Sequence, residues 1–159
     1  MKKMVFVMVS LVFVLASCAE KSMESAASNE PKGISQSTEG TVRDGMFIHI
    51  SQGYDDPHRV LMPLKMANMM AADKDVLVYL DIHAVNLVLK TSEDMVFADF
   101  DPLKKQLQDL LDKNVGIYAC PTCLKIAGYS PDDLLEGIQI ANKESFFDFT
   151  KGRIITLDY

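Results

Sequence analysis

Apolar runs of strand length alternate with stretches of helical periodicity from about Arg43 to the end of the chain. Met46 to Ile50, Val76 to Leu80 and Val115 to Ala119 are short and almost continuously apolar, and Ile154 to Leu157 repeats the pattern. Unbroken runs of this length suit strands covered on both faces, as in a parallel sheet, because a half-exposed strand would alternate. Between the first two runs, Pro57 to Ala72 carries Val60, Leu61, Leu64, Met66, Ala67, Met69 and Met70 at helical spacing. Asp56 is placed to cap this segment and Pro57 falls at the first helical position, so an amphipathic helix is predicted. Two more helices are predicted over Ala84 to Leu89 and Pro102 to Leu111, the latter with Leu103, Leu107, Leu110 and Leu111 on one face. A fourth helix is predicted after Cys120, then a short strand over Gly137 to Ala141 and a helix around Glu144 to Phe149. Strands separated by helices need crossover connections. The predicted class is therefore α/β, a three-layer α/β/α sandwich on a mainly parallel sheet of about five strands.

The segment before Arg43 has a different pattern. Lys2 and Lys3 precede an apolar stretch from Met4 to Ala16, interrupted only by Ser10 and shorter than the ~20 residues that span a bilayer. That is the pattern of a secretion signal. It ends in Leu15-Ala16-Ser17-Cys18, similar to the lipobox of bacterial lipoproteins, in which small residues admit the signal peptidase and the cysteine sulfur takes a diacylglyceryl group. A leader over residues 1–17 and a lipid anchor on Cys18 are expected, against the alternatives of an ordinary signal peptide or an uncleaved anchor. From Ala19 to about Gly40 the composition shifts to Ser, Glu, Lys, Ala and Thr, with Met23 and Ile34 as the bulky apolar side chains. Nothing there offsets the entropy of ordering, so residues 18–43 are expected to form a lipidated flexible tether and residues 44–159 the folded domain. Ala19 is not the aspartate that commonly retains lipoproteins at the inner membrane of Gram-negative cells. The expected location is thus the cell envelope, lipid-anchored at the outer membrane and facing the periplasm.

Composition narrows the partners. With 159 residues, 48% of them hydrophobic and 24% charged, the chain suits one ordinary globular domain with accessories and excludes disorder throughout. Acidic residues outnumber basic ones 22 to 16, and losing the two leader lysines leaves 22 against 14, a net charge of −8. A polyanion would be repelled, so nucleic acid is not an expected partner. Three cysteines are too few for a disulfide-built scaffold. Hydrophobic burial must supply the stability, and any thiol chemistry is local.

In an open parallel sheet, sites form where loops leave the carboxyl ends of the strands. The first such loop, Ser51-Gln52-Gly53-Tyr54-Asp55-Asp56, has one glycine and carboxylates, which lack both the glycine pattern and the electrostatics of a phosphate cradle. The second offers Asp81, Ile82 and His83, with His83 kept as a candidate although a lone histidine is more often structural or at the surface than catalytic. The third is Cys120-Pro121-Thr122-Cys123, directly after a predicted strand and at the start of a predicted helix. A helix start carries partial positive charge and unpaired N–H groups, which favour thiolate over thiol. Cys123 lies about one helical turn on, close enough to resolve a persulfide, sulfenic acid or mixed disulfide on Cys120. Half of a zinc site and an inert structural pair are the alternatives, although His49, His58 and His83 do not fall at ligand spacing.

These residues carry a resemblance. From Gly45 to Tyr159 the chain resembles the DsrE/DsrF-like family, which includes sulfur-relay subunits and the YchN-type proteins. The stretch Asn114-Val115-Gly116-Ile117-Tyr118-Ala119-Cys120-Pro121-Thr122-Cys123 carries it, with Gly128 after it and Leu134-Leu135-Glu136-Gly137-Ile138 before the last helix and strand. The resemblance implies a flavodoxin-like parallel sheet, homo-oligomers or hetero-oligomers with the cysteine near a subunit contact, and persulfide transfer between protein partners. Cys120 would be the sulfur acceptor and Cys123 the second thiol. Ile126-Ala127 stands where relay members often carry arginines, and His83-Ala84-Val85 stands where many have an acidic residue before Ala-Val. Cationic help to a persulfide is therefore expected to be weaker, with the His83 imidazole as a partial replacement.

The expected function is a thiol-based sulfur carrier or transferase in the cell envelope. No cofactor is expected, and the expected partners are the membrane, a second copy of the chain and a sulfur donor or acceptor protein. The exposed aromatic content of Phe146, Phe147 and Phe149 suits a subunit contact. Three other readings stand beside this one. A thioredoxin-like oxidoreductase would use a CxxC at a helix start, but early in the fold and followed by a cis-proline. A copper-binding envelope protein would use His58, Met62, Met66, Met69 and Met70, since thioethers suit Cu(I), although that spacing is also an ordinary core face. A non-catalytic interaction module is the third.

Overall fold

The computed structural model describes residues 42–159. The leader, Cys18 and the tether as far as residue 41 lie outside the described residues. Strand β1 (Gly45–Ile50) leads through helix α1 (Pro57–Met70) to β2 (Asp75–Leu80), and a 3-10 turn (Ala84–Val88) and α2 (Leu103–Asp112) lead on to β3 (Gly116–Ala119). Then come α3 (Pro121–Ile126), a 3-10 turn (Pro131–Asp133), β4 (Gln139–Ile140), α4 (Ser145–Asp148) and β5 (Ile154–Asp158). The five strands form one sheet in the order β4-β3-β2-β1-β5 with every pairing parallel. The fold is the expected α/β class.

Local chemistry explains the helix starts. The Asp56 carboxylate accepts the Arg59 N–H at 3.2 Å, with Pro57 at the first helical position where its missing N–H costs nothing. Helix α2 starts after Pro102, which has no side-chain acceptor. Asp94, from the preceding loop, accepts the Lys104 N–H at 2.9 Å and supplies the cap instead. Ala84 to Leu89 is buried along almost its whole length and forms only a 3-10 turn, after which Leu89 bridges to Leu134. An apolar stretch buried on all sides carries no periodicity to distinguish the two forms.

The order of the strands sets the layers. The crossovers from β1 to β2 to β3 to β4 all step the same way along the sheet, and connections that follow the right-handed rule then lay their helices on one face. The return from β4 to β5 crosses the other face with α4 alone. The first face holds the core: Ile48, Ile50, Val78, Leu80 and Ile117 pack against Val60, Leu61 and Leu64 of α1 and Leu103, Leu107 and Leu110 of α2, all buried. On the second face, the register rows set Phe47 beside Leu77 and His49 beside Tyr79, with Tyr118 on the far side of Tyr79 and Asp158 on the far side of His49. Leu77 is fully buried there, whereas its aromatic and polar neighbours are half-buried or exposed. The sandwich is thus asymmetric, its third layer reduced to a four-residue helix. That segment sits hard against β1, since a Cβ on Gly45 would run into Thr150 and Phe149.

The methionines of α1 flank the core rather than forming it. Met69 is 59% exposed and Met62, Met66 and Met70 are half-buried, while Val60, Leu61, Leu64 and Ala67 take the sheet-facing stripe. Among the described residues, no helix is long and apolar enough to cross a membrane.

Candidate functional site

The site is built where β3 ends. The Cys120 N–H donates to the Leu80 carbonyl at 2.9 Å, one further rung of the β2–β3 ladder. Its backbone is still extended (φ −64°, ψ 118°), and Pro121 then turns the chain into α3. The Cys120 sulfur caps that helix by accepting the Cys123 N–H at 3.4 Å. Both cysteines are free thiols and half-buried. Strand alternation sends the Cys120 side chain to the same face as Tyr118, and the register puts Tyr79 and Asp81 on that face as well.

The two thiols differ in their surroundings. Burial pushes the Cys120 thiol up, but hydrogen bonds to its sulfur from the Tyr79 side chain and from the Cys123 and Thr122 backbones outweigh it, so the net shift is downward. Burial pushes the Cys123 thiol up, and the neighbouring Cys120 pushes it further. Opposite shifts in adjacent thiols favour one thiolate beside one thiol, the division that nucleophilic sulfur chemistry uses.

Behind Cys120 lies a charged and aromatic cluster. His49 of β1 stacks on Tyr79 with ring centroids 5.4 Å apart and planes at 26°. Its Nδ1 lies 2.8 Å from an Asp158 carboxylate oxygen and its Nε2 lies 2.9 Å from Asp81, both contacts ionic when the ring is protonated. The approach to Asp81 is not aligned as a hydrogen bond, and both of its atoms are buried with no aligned partner. On its other sides, the Tyr79 ring meets Phe146 edge-on at 5.0 Å and Phe47 at 6.1 Å. Burial pushes the Tyr79 hydroxyl well above its ordinary range, with Cys120 adding to the effect, so the phenol keeps its proton.

His83 sits elsewhere. It lines a cavity of about 460 Å³ together with Ile82, Asn86, Cys123, Ile126, Ala127 and Tyr129. The candidate histidine therefore shares its surroundings with Cys123, and Tyr79 is the side chain that draws the Cys120 thiol downward. Ile82, between Asp81 and His83, has φ +45°, a left-handed conformation that costs a β-branched residue on the order of 1–3 kcal/mol. The Ile82 backbone at that turn partly offsets the upward shift of the Cys123 thiol. Among the described residues, no group of three or more His, Cys, Asp and Glu side chains is arranged to hold a metal ion.

Tyr79, His49 and Asp158 escape a reading of the sequence. Each belongs to a strand, and only the parallel register brings them together. The available signal is weak: His49, Tyr79 and Tyr118 are the three polar rings inside otherwise apolar strand runs.

A parallel five-stranded sheet with helices, carrying two free cysteines at the carboxyl edge of β3, defines an α/β domain of the flavodoxin-like class. A model of the DsrE/DsrF-like family matches residues 45–156, and the chain belongs to that family. Among solved structures, the ychN protein from E. coli matches with a TM-score of 0.58 at 18% identity, covering 72% of this chain and 99% of that one. MTH1491 from Methanobacterium thermoautotrophicum, described as a protein of unknown function, matches with a TM-score of 0.51 at 23% identity, covering 71% and 98%. At these identities the two structures show the shared fold. No curated protein matches the chain.

Proposed function

We propose that this protein is a thiol-based carrier of sulfane sulfur in the cell envelope, with Cys120 as sulfur acceptor and Cys123 as resolving thiol. The observation that carries the reading is the opposite tuning of two free thiols in one turn, Cys120 towards thiolate and Cys123 towards thiol. Membership of the DsrE/DsrF-like family supports it. In loading, the Cys120 thiolate attacks the outer sulfur of a donor persulfide RS–SH, forming Cys120–S–SH and releasing RS⁻. In delivery, an acceptor thiolate attacks that outer sulfur and Cys120 leaves as thiolate. With no acceptor present, Cys123 as thiolate attacks the Cys120 sulfur, expels HS⁻ and leaves a Cys120–Cys123 disulfide, which a dithiol then reduces.

The envelope setting rests on the leader, the Leu15-Ala16-Ser17-Cys18 box and the polar stretch after it. A lipid on Cys18 would hold the domain at the outer membrane on its periplasmic side, where donor, acceptor and a second copy of the chain are the partners. Intact-protein mass spectrometry of Cys123→Ser, in which no neighbour expels the added sulfur, after incubation with polysulfide tests the carrier role. The expected result is a gain of one sulfur atom at Cys120 that a reducing thiol removes. No gain, or a gain undiminished in Cys120→Ser, rejects it.

A further inference from the structure

The cavity of about 460 Å³ beside Cys123 has an apolar wall, to which Ile82, Ile126 and Tyr129 contribute exposed side chains. Among the described residues, no lysine, arginine, aspartate or glutamate lines it. The Cys123 thiol lies in that wall, and the Cys123 N–H reaches the Cys120 sulfur at 3.4 Å, so the cavity opens beside the thiol pair. Its size is that of a site for a small molecule.

Ile82 is held in this wall against strain. At φ +45° a β-branched residue is disfavoured, and a side chain left 55% exposed regains little by burial. Glycine would take the same turn freely. An isoleucine here gains its burial when the cavity is filled.

A second cavity, of about 290 Å³, adjoins the first through Asn86 and Tyr129, which line both. It adds the polar side chains of Tyr54, Thr91, Ser92 and Glu93. Ser92 is 8% exposed, and its hydroxyl has no aligned hydrogen-bond partner among the described residues. A buried hydroxyl is costly to leave unpaired, and the tail of a bound molecule is a partner for it.

We propose that these adjoining cavities bind the organic group of a low-molecular-weight sulfur donor, an uncharged group that is apolar beside the sulfur and ends in a hydrogen-bonding tail. This rests on the sulfur-carrier reading and names the donor class for the same thiols. With the group R in the apolar cavity, the S–SH end of the donor lies beside the pair. The Cys120 thiolate takes the outer sulfur, the S–S bond breaks, and its electron pair leaves on RS⁻, which takes up a proton from solvent. A donor bearing carboxylates or a sulfonate would meet no lysine or arginine in either wall, and Glu93 and the acidic balance of the chain, 22 against 16, would oppose it.

The test uses methanethiosulfonate reagents on the full chain carrying Cys120→Ser. The Cys123 thiolate attacks the sulfur that bears R, forms Cys123–S–S–R and releases methanesulfinate, and the product is read on the Cys123 peptide by mass spectrometry, with the chain folded and in urea. No sulfane sulfur moves, so a failure of polysulfide to load would reject the carrier reading alone. The benzyl reagent should outpace the methyl reagent roughly tenfold in the folded chain and react about equally in urea. The sulfonatoethyl reagent should be the slowest when the chain is folded. Comparing reagents at one thiol cancels the effect of its ionisation.

Ile126→Ser and Ile82→Gly should each cut the benzyl preference about threefold, and Ile82→Gly should keep or raise the thermal midpoint because glycine suits that turn. Ser92→Ala should slow a hydroxymethylbenzyl reagent and spare the benzyl one, and an equal effect on both overturns the placement of the tail. A benzyl-to-methyl ratio that is the same folded and in urea overturns the proposal, as does a folded Cys123 that reacts with none of the reagents. A ratio that falls as the protein is concentrated also overturns it, since a second copy would then cover the wall. If Cys120→Ser does not fold, the same ratio read at Cys120 in Cys123→Ser decides.

Discussion

His49 and Tyr79 face each other across the β1–β2 pairing as register partners, and their rings stack at 5.4 Å. Parallel pairing brings two residues from strands separated by a whole helix into contact behind the thiol. The same register adds Asp158, from the last strand, on the other side of His49. The last strand, β5, thus contributes to the polar cluster on this face of the sheet.

The edge strand β5 should be an acid-sensitive part of the fold. Arg153 holds Asp44 through two guanidinium contacts, at 3.1 and 2.6 Å, and a backbone N–H at 3.2 Å. The Arg153 side-chain hydrogen bond, first among the causes, lowers the Asp44 carboxyl below its ordinary value. A depressed folded pKa gives a stabilisation that is complete above the unfolded value of about 3.9 and is lost as pH falls through the folded value. Asp44→Asn should therefore lower the thermal midpoint slightly at neutral pH, and the difference from wild type should vanish in acid. A difference that persists undiminished at low pH would refute the assignment.

Gly152 should tolerate no side chain. A Cβ there would run into the Arg43 carbonyl and the Asp44 Cα, which are backbone atoms and cannot swing aside. Gly152→Ala should push β5 off β1 and take Asp158 away from His49. The expected outcome is a lower thermal midpoint. A variant with wild-type stability would show that the β5 connection yields easily.

The two sides of α1 should respond in opposite ways. Leu64 is fully buried among β1, β2 and α2, so Leu64→Ala should cost about 2–5 kcal/mol in chemical denaturation. Met69 is 59% exposed, so Met69→Ser should stay within about 0.5 kcal/mol of wild type. Equal losses would place the methionines in the core after all.

Much of this fold is legible in the chain because buried parallel strands read as continuous apolar runs. β1, β2 and β3 each fall within a residue of such a run. The same rule misreads β5: Ile154 and Ile155 form an apolar run yet are exposed, because an edge strand under a thin layer is covered on neither side as the rule assumes. The thin layer itself follows from the short connection between β4 and β5, which leaves room for one helical turn at α4. At the site, Cys120 and Cys123 announce themselves by spacing, since they are neighbours along the chain. Tyr79, His49 and Asp158 do not, because their proximity depends on strand order and register, which no local pattern encodes.

Lipid attachment should be separable from folding. The described residues begin at 42, and every core residue among them lies at Ile48 or later. Cys18→Ala should abolish incorporation of labelled fatty acid and leave the thermal midpoint of the domain unchanged. A wild-type protein that takes up no lipid in a Gram-negative host would reject the anchor.

The two cysteine variants should fail in different ways. Cys120, lowered towards thiolate by Tyr79 and backbone donors against the opposing effect of burial, should alkylate faster than Cys123, which burial and its neighbour hold as thiol. Because the shifts have opposite signs, the gap in rate should be widest near neutral pH and close as the pH rises through the Cys123 value, where both are ionised. Cys120→Ser should abolish loading by polysulfide. Cys123→Ser should load normally but hold the sulfur longer, since the neighbour that expels HS⁻ is gone. Time-resolved intact-mass spectra of the two variants distinguish these outcomes. Equal alkylation rates for the two thiols at neutral pH, or loading that survives in Cys120→Ser, would overturn the assignment of roles.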